Sequence, residues 1–199
     1  SILMRGGQWF KNLGATEAGT KLYCISGHVK YPGTYELPLG SSLNQLVAAA
    51  GGFVGTPKAF SPGGASSGFL PMTFAETPLD FGSLSKLGTI LGSAGVVVLN
   101  DTVSMVDAAL TQSVFFEDES CGQCAPCRIG TQLVKRSIHR FKNSRNTSHL
   151  DPIQAIGWEM EEGSICGLGM VAAKPIEMAM QYFPREFVGA NKNPKGSQV

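Results

Sequence analysis

Residues Glu119–Phe141 read ESCGQCAPCRIGTQLVKRSIHRF. Cys121, Cys124 and Cys127 follow a C-x2-C-x2-C pattern, and the chain then runs into a helical one. Ile129, Leu133, Val134 and Ile138 recur near helical spacing, and Pro126 suits a first turn, where its missing N–H costs nothing. A helix is therefore expected over Pro126–Phe141, with three thiols at its entrance.

The flanking sequence extends this into a bundle. Upstream, Asp101 or Thr102 can cap a helix through VSMVDAALTQSVFF, with Met105, Ala108, Ala109 and Val114 on its apolar face. Downstream, KNSRNTSH is a polar break. Helices are then expected over Leu150–Glu162 and over Lys174–Phe183, the latter with Pro175 in its first turn. Residues 101–187 thus read as a four-helix bundle. Residues 188–199, VGANKNPKGSQV, read as a disordered tail.

Before the bundle the pattern belongs to strands. In TKLYCISGHVKYPGTYELPLG apolar and polar residues alternate around Leu22, Cys24 and Val29. Pro32-Gly33 suggests a turn with Gly33 at positive φ, hence a β-hairpin. SSLNQLVAAAGG follows as a short helix capped by Ser41 or Ser42, apolar at Leu43, Leu46 and Val47, and stopped by Gly51-Gly52. GVVVLN, Gly95–Asn100, is a strand on its three valines. The region 55–92, including SPGGASSGFLP, reads as a connecting loop and lacks both phosphate-loop patterns. Residues 20–100 therefore form a small α+β domain in which a sheet covers one helix. Residues 1–19 carry Trp9 and Phe10 with few neighbours to bury them. They read either as a loose amphipathic tail or as a segment packed on something outside the chain.

Composition narrows the function. The 199 residues carry a formal net charge of +1 and no basic block, which argues against a nucleic-acid partner. No apolar run approaches the roughly 20 residues of a membrane span, and the first residues do not have the form of a secretory signal. Five cysteines, an odd count, argue against a disulfide scaffold and for a reducing compartment, where clustered thiols bind metal.

A single zinc ion usually takes its four ligands as two separated pairs. A tight trio plus one remote cysteine is the commoner signature of a [4Fe–4S] cube, one thiolate per iron. Two cysteines can complete the set. Cys166, in EGSICGLGM between the third and fourth helices of the bundle, is favoured, and Gly167 and Gly169 would let the backbone come close. Cys24, in the strand domain, reads as a small buried hydrophobe. The N-terminus of the Pro126 helix turns peptide N–H groups toward the negative charge of the thiolates. Arg128 and Lys135 either add positive field or are ordinary surface charges, and Glu119 is either a solvated loop residue or a tuned carboxylate. His28, His139 and His149 are scattered, and no G-x-S-x-G elbow is present. Electron transfer is the chemistry these residues imply.

ESCGQCAPCRIGT followed by ICGLG resembles the NADH-oxidising flavoprotein subunits of respiratory complex I, NAD-reducing hydrogenases and NAD-dependent formate dehydrogenases. GTKLYCISGHVKYPGTYELPLGSSL is similar to the β-grasp, SLBB-type domain that precedes the cluster bundle in that family. PGGASSGFLP and LGSAGVVVLND are similar to its glycine loop and last strand. The resemblance implies an α+β fold: a small β-grasp domain, then a four-helix bundle carrying an iron–sulfur cluster. It implies Cys121, Cys124, Cys127 and Cys166 as [4Fe–4S] ligands, and electron transfer between FMN and further iron–sulfur subunits of an NADH:acceptor oxidoreductase. Gly167 and Leu168 would face the flavin, and Glu119 matches the family's glutamate before the first cluster cysteine.

The family binds FMN and NAD(H) in a domain preceding the β-grasp domain. SILMRGGQWF is similar to the exit from that domain, so residues 1–19 are expected to be a linker and this chain alone is not expected to hold FMN or NAD. Expected partners are that domain, a thioredoxin-like [2Fe–2S] subunit and a multi-cluster subunit. Expected placement is the cytoplasmic or mitochondrial matrix side, membrane-associated only through the complex. The alternatives are a structural zinc module that docks onto a larger assembly, and a small-ligand-binding β-grasp protein whose cluster is incidental.

Overall fold

The computed structural model describes residues 1–189. Of the expected tail over 188–199, residues 190–199 lie outside the described residues. The chain divides into two compact units, Ser1–Thr102 and the residues from Val103 onward.

The first unit opens with two short helices, α1 (Ile2–Arg5) and α2 (Gly7–Lys11), in which the Arg5 guanidinium lies 4.8 Å from the Trp9 ring centroid. The hairpin follows as β1 (Thr20–Gly27) and β2 (Gly33–Pro38), paired antiparallel from Thr20↔Pro38 to Ile25↔Gly33. The residue with left-handed backbone here is Gly27 (φ 81°), not Gly33. Any Cβ at Gly27 would collide with the Val98 carbonyl oxygen, so this crossing requires glycine.

The strand's faces are the reverse of the sequence expectation. Tyr23 and Ile25 are buried, whereas Leu22 and Cys24 are exposed. In a period-2 element one step of register exchanges the faces. Tyr23 takes the inner face because its hydroxyl donates to the Leu79 carbonyl at 2.8 Å, which satisfies a buried polar tip.

Helix α3 (Leu43–Ala49) forms for the reason its sequence gives. Ser42 accepts from the Gln45 N–H, and the Gln45 side chain accepts from the Ser42 N–H at 2.9 Å, a complete capping box. Leu43, Leu46 and Val47 are buried.

Within the supposed loop lie β3 (Pro57–Ser61), β4 (Leu70–Pro71) and α4 (Phe81–Ser85), the last capped by Asp80. Strand β5 (Gly95–Asn100) completes a five-stranded mixed sheet of order β2-β1-β5-β3-β4. β5 runs parallel to β1 and antiparallel to β3. Phe60, Val96 and Val98 from the sheet, Leu43 and Leu46 from α3, and Leu79, Leu84 and Leu91 from the connections make this unit's core.

The second unit is helical. It comprises α5 (Met105–Asp118), α6 (Ala125–Ser144), α7 (Ile153–Gly163), α8 (Gly167–Val171) and α9 (Lys174–Tyr182). The cap of α5 is Ser104, which accepts from the Asp107 N–H, rather than Asp101 or Thr102. Its buried face is Met105, Val106, Ala109, Ser113 and Phe116, with Val114 exposed.

In α6 the buried stripe is Cys127, Thr131, Val134, Ile138 and Phe141, and Ile129 and Leu133 are exposed. Met160 and Ile153 of α7, Ile176 and Ala179 of α9, and the Phe141–Phe187 ring stack (5.9 Å between centroids) close this core. The overall class, mixed α+β with a sheet domain and a helical bundle, is as the sequence implies. Helix α8 is an addition to the four expected helices.

Candidate metal centre

Two loops of the helical unit carry Cys121, Cys124 and Cys166, and Cys127 lies in the first turn of α6. The first loop joins α5 to α6. Glu119 ends α5 as an exposed cap residue, and Gly122 turns the chain with φ 75°. Cys124 occupies the N-cap of α6, with extended backbone (φ −93°, ψ 136°), and Pro126 lies in the first turn. Arg128 is not a free cation: its Nη1 donates to the Gly122 carbonyl at 2.6 Å and ties the loop to the helix it precedes. Lys135 is likewise committed, to Glu117. In the same loop the Ser120 hydroxyl lies 3.3 Å from the Cys127 sulfur.

The second loop joins α7 to α8. Ser164 caps α7, donating its N–H to the Met160 carbonyl at 3.1 Å, and Cys166 is the N-cap of α8. The two loops meet. The Ile165 N–H lies near enough to the Cys124 thiol to lower its pKa. Behind it, a Cβ on Gly169 would stand 2.9 Å from Cys127 Cβ and collide with Ser164 Oγ. A Cβ on Gly163 would stand 2.8 Å from Pro126 Cγ. The glycines of EGSICGLGM thus let one loop seat against the first turn of α6.

Electrostatics follow the geometry. The Ile165 N–H, with help from the Cys127 N–H and the Ser164 hydroxyl, holds the Cys124 thiol below its ordinary value. Burial pushes the Cys127 thiol up, and the charges of Cys124, Cys166 and Cys121 push the same way, while the Ser120 hydroxyl opposes them. Cys127 is buried and Cys124 half-buried, while Cys121 and Cys166 are exposed.

Cys24, expected to be buried, is exposed on β1 in the sheet unit, with its sulfur 3.3 Å from Thr34 Oγ1. Gly167 faces open space, since a Cβ there would meet nothing within 4 Å, and Leu168 is half-buried.

Four thiols, with no imidazole or carboxylate among them, are the donor type that both a zinc ion and a four-iron cube take. Four thiolates on one zinc must close to about 3.8 Å between sulfurs, given a Zn–S bond near 2.3 Å and tetrahedral angles. Among the described residues, no three Cys, His, Asp or Glu side chains draw together tightly enough to hold one metal ion. Ser164 adds an orphaned polar atom: its hydroxyl is buried near Cys124 yet meets no partner at full hydrogen-bond geometry. Ser120 and Ser164 escaped the sequence reading because a serine beside a cysteine carries no spacing signal of its own.

Comparison with known proteins bears on this arrangement. Residues 107–190 match the family model described as the NADH-ubiquinone oxidoreductase-F iron–sulfur binding region, and residues 22–70 match the SLBB domain. The NADH-quinone oxidoreductase F 2 subunit of Rhizobium meliloti (strain 1021) is 41% identical over 192 residues, covering 94% of this chain and 46% of that protein. The chain carries the iron–sulfur binding region of the NADH-ubiquinone oxidoreductase F family, with an SLBB domain before it.

The F subunit of Rickettsia felis (strain ATCC VR-1525 / URRWXCal2) is 39% identical over the same length, with the same coverage of 94% and 46%. The chain thus spans about half the length of the F subunits it matches. Among solved structures, an NAD+-reducing [NiFe]-hydrogenase in its H2-reduced state superposes with a TM-score of 0.85 at 30% identity, covering 96% of this chain and 34% of that one. Its air-oxidised state gives 0.73 at 31%, with 94% and 32% covered. The F-family iron–sulfur region takes in both cysteine loops, and the SLBB match falls on the hairpin, α3 and the strands that follow.

Proposed function

We propose that Cys121, Cys124, Cys127 and Cys166 hold a [4Fe–4S] cluster through which this chain passes electrons between FMN and further iron–sulfur subunits of an NADH:acceptor oxidoreductase. The observation that supports this most directly is the seating of the Cys166 loop on the trio: the Ile165 N–H on Cys124, and Gly169 against Cys127. When bound, the cluster supplies a one-electron store that needs no proton or bond change.

The chain's own residues do the rest. Cys127, buried on α6, anchors the set from the protein side. Arg128 holds the first loop's backbone by its bond to Gly122, and the Ile165 N–H places hydrogen-bonding dipole on a thiolate sulfur. In this reading FMN and NAD(H) are held by a neighbouring domain, and Gly167, Leu168 and Glu119 line the flavin's approach. The open space at Gly167 suits such a neighbour.

Partners are the FMN/NADH domain, a thioredoxin-like [2Fe–2S] subunit and a multi-cluster subunit, on the cytoplasmic or matrix side of a membrane. Ile165, 74% exposed beside Cys166, and Trp158, 64% exposed, are large apolar side chains suited to a protein interface. Among the described residues no helix is long and apolar enough to cross a membrane.

The test is anaerobic reconstitution of the chain with iron and sulfide. The reading expects a brown protein with about four irons and four sulfides per chain and an EPR signal on reduction. A colourless protein binding one zinc per chain overturns it in favour of a structural docking module.

A further inference from the structure

We propose that two serine hydroxyls, Ser120 on one cysteine loop and Ser164 on the other, set the reduction potential of the iron–sulfur centre by donating hydrogen bonds to the Cys127 and Cys124 sulfurs. This rests on the cluster-binding reading above and adds to it the residues that decide how readily the centre takes an electron.

Ser120 is oriented by its own loop. Its oxygen accepts from the Gly122 N–H at 3.3 Å and lies 3.3 Å from the Cys127 sulfur. A backbone N–H can only donate, so the first bond occupies a lone pair and leaves the hydroxyl proton for the sulfur. Cys127 is only 5% exposed, and in such surroundings a hydrogen bond is electrostatically stronger than in water.

Ser164 makes the complementary case. It is 6% exposed, and its oxygen has no partner at full hydrogen-bond geometry. A buried hydroxyl left without an acceptor is costly, and such an atom in a native fold asks for an explanation. Gly169 leaves just the space it occupies, since a Cβ there would collide with it. The nearby Cys124 sulfur, once a negatively charged iron ligand, is the acceptor this hydroxyl lacks.

Reduction adds one electron to the centre and increases the negative charge on its sulfurs. Hydrogen bonds to those sulfurs favour the reduced form and raise the potential. Losing one shifts the equilibrium toward the oxidised form.

The experiment is an EPR-monitored redox titration of the cluster-loaded full chain, with iron and sulfide assayed alongside. Ser120→Ala should shift the reduction equilibrium about tenfold toward the oxidised form, which is about 59 mV more negative for one electron. Ser120→Thr, which keeps the hydroxyl, should restore the original potential, whereas Ser120→Val, of the same shape, should not. Ser164→Ala should lower the potential as well, while the metal-free chain melts no earlier, because an unpartnered oxygen has been removed.

Potential does not depend on occupancy, so a partly loaded variant still reports. Wild-type chain that takes up no cluster brings down the cluster-binding reading itself. Loaded alanine variants with wild-type potentials, or Thr and Val variants that behave alike, overturn the serine assignment and leave that reading standing.

Discussion

Gly169 and Cys127 lie so close that a Cβ on the glycine would come 2.9 Å from the Cys127 Cβ. Real Cβ atoms do not approach that nearly, so α8 packs against Cys127 only because position 169 has no side chain. The neighbouring Gly167 faces open space. Two glycines of one short motif therefore serve different ends: one lets the protein close on itself, and the other leaves a surface free.

The pair makes a direct comparison. Helix propensity alone would favour alanine at both sites by up to about 1 kcal/mol. At 169 the collision with Ser164 Oγ and Cys127 outweighs this, and Gly169→Ala should cost about 1–3 kcal/mol and lower cluster occupancy. Gly167→Ala should stay within about 0.5 kcal/mol of wild type and load normally. Urea denaturation and iron content measure both; equal behaviour of the two variants would show that the loop is not seated as described.

The fourth ligand is decided by a second pair. Cys166→Ser should lose most of the cluster, because one of the four proposed thiolate ligands would be gone. Cys24→Ser should keep the full complement, since Cys24 is an exposed strand residue beside Thr34 in the other unit. Iron and sulfide assays after reconstitution read the outcome. The reverse pattern would move the fourth ligand to Cys24.

What the sequence disclosed follows from how local each signal is. Strand β5 matches its expected limits because a valine run between glycine and asparagine needs no distant partner to be recognised. The Ser42–Gln45 capping box is likewise complete within four residues. Strand β3 was hidden because it starts at a proline and acquires its identity from antiparallel pairing to β5, about forty residues away, across a bulge at Pro57/Ala59. Helix α8 was hidden because two of its five residues are glycine.

The rotation of α6 was half legible, since Val134 and Ile138 are buried as expected. Ile129 and Leu133 look like core, but the buried stripe is fixed by Cys127 and by Gly130, which packs directly against Met160. The cysteine trio was legible from spacing, which left the fourth ligand as a choice between Cys166 and Cys24. The serines and the Ile165 N–H that attend them became visible only once the two loops were placed together.

Glu177 gives the helical unit a pH signature. Burial raises its carboxyl above the ordinary carboxylate value, Glu161 adds to this, and Lys174, 3.8 Å away, opposes it. A carboxyl whose folded value is raised stabilises the fold below its unfolded value, near 4.3, and loses that contribution as pH rises through the raised folded value. At neutral pH the charged form is therefore a liability. Glu177→Gln should raise the melting temperature by about 2 °C at pH 7.5 and make no gain at pH 4. The half-buried Lys174 partner, 3.8 Å away, offsets only part of this. Equal shifts at both pH values would rule out a titrating carboxyl.

Asp80 gives the sheet unit the opposite signature. Burial alone would raise its carboxyl, but hydrogen bonds from the Thr16 hydroxyl, the Ser83 N–H (2.6 Å) and the Ser83 hydroxyl (3.2 Å) outweigh it, with Lys86 adding to them, and hold it below the usual range. A depressed folded value means that the contribution is present above the unfolded value near 3.9 and is lost as pH falls through the folded one. Because Asp80 both caps α4 and ties down the segment before β1, Asp80→Ala should cost about 1–2 kcal/mol at pH 7. The gap between wild type and variant in urea midpoint should narrow steadily as the buffer is taken from pH 5 toward pH 2. A gap that stays constant over that interval would mean that the carboxylate charge contributes nothing and the loss at neutral pH is one of packing.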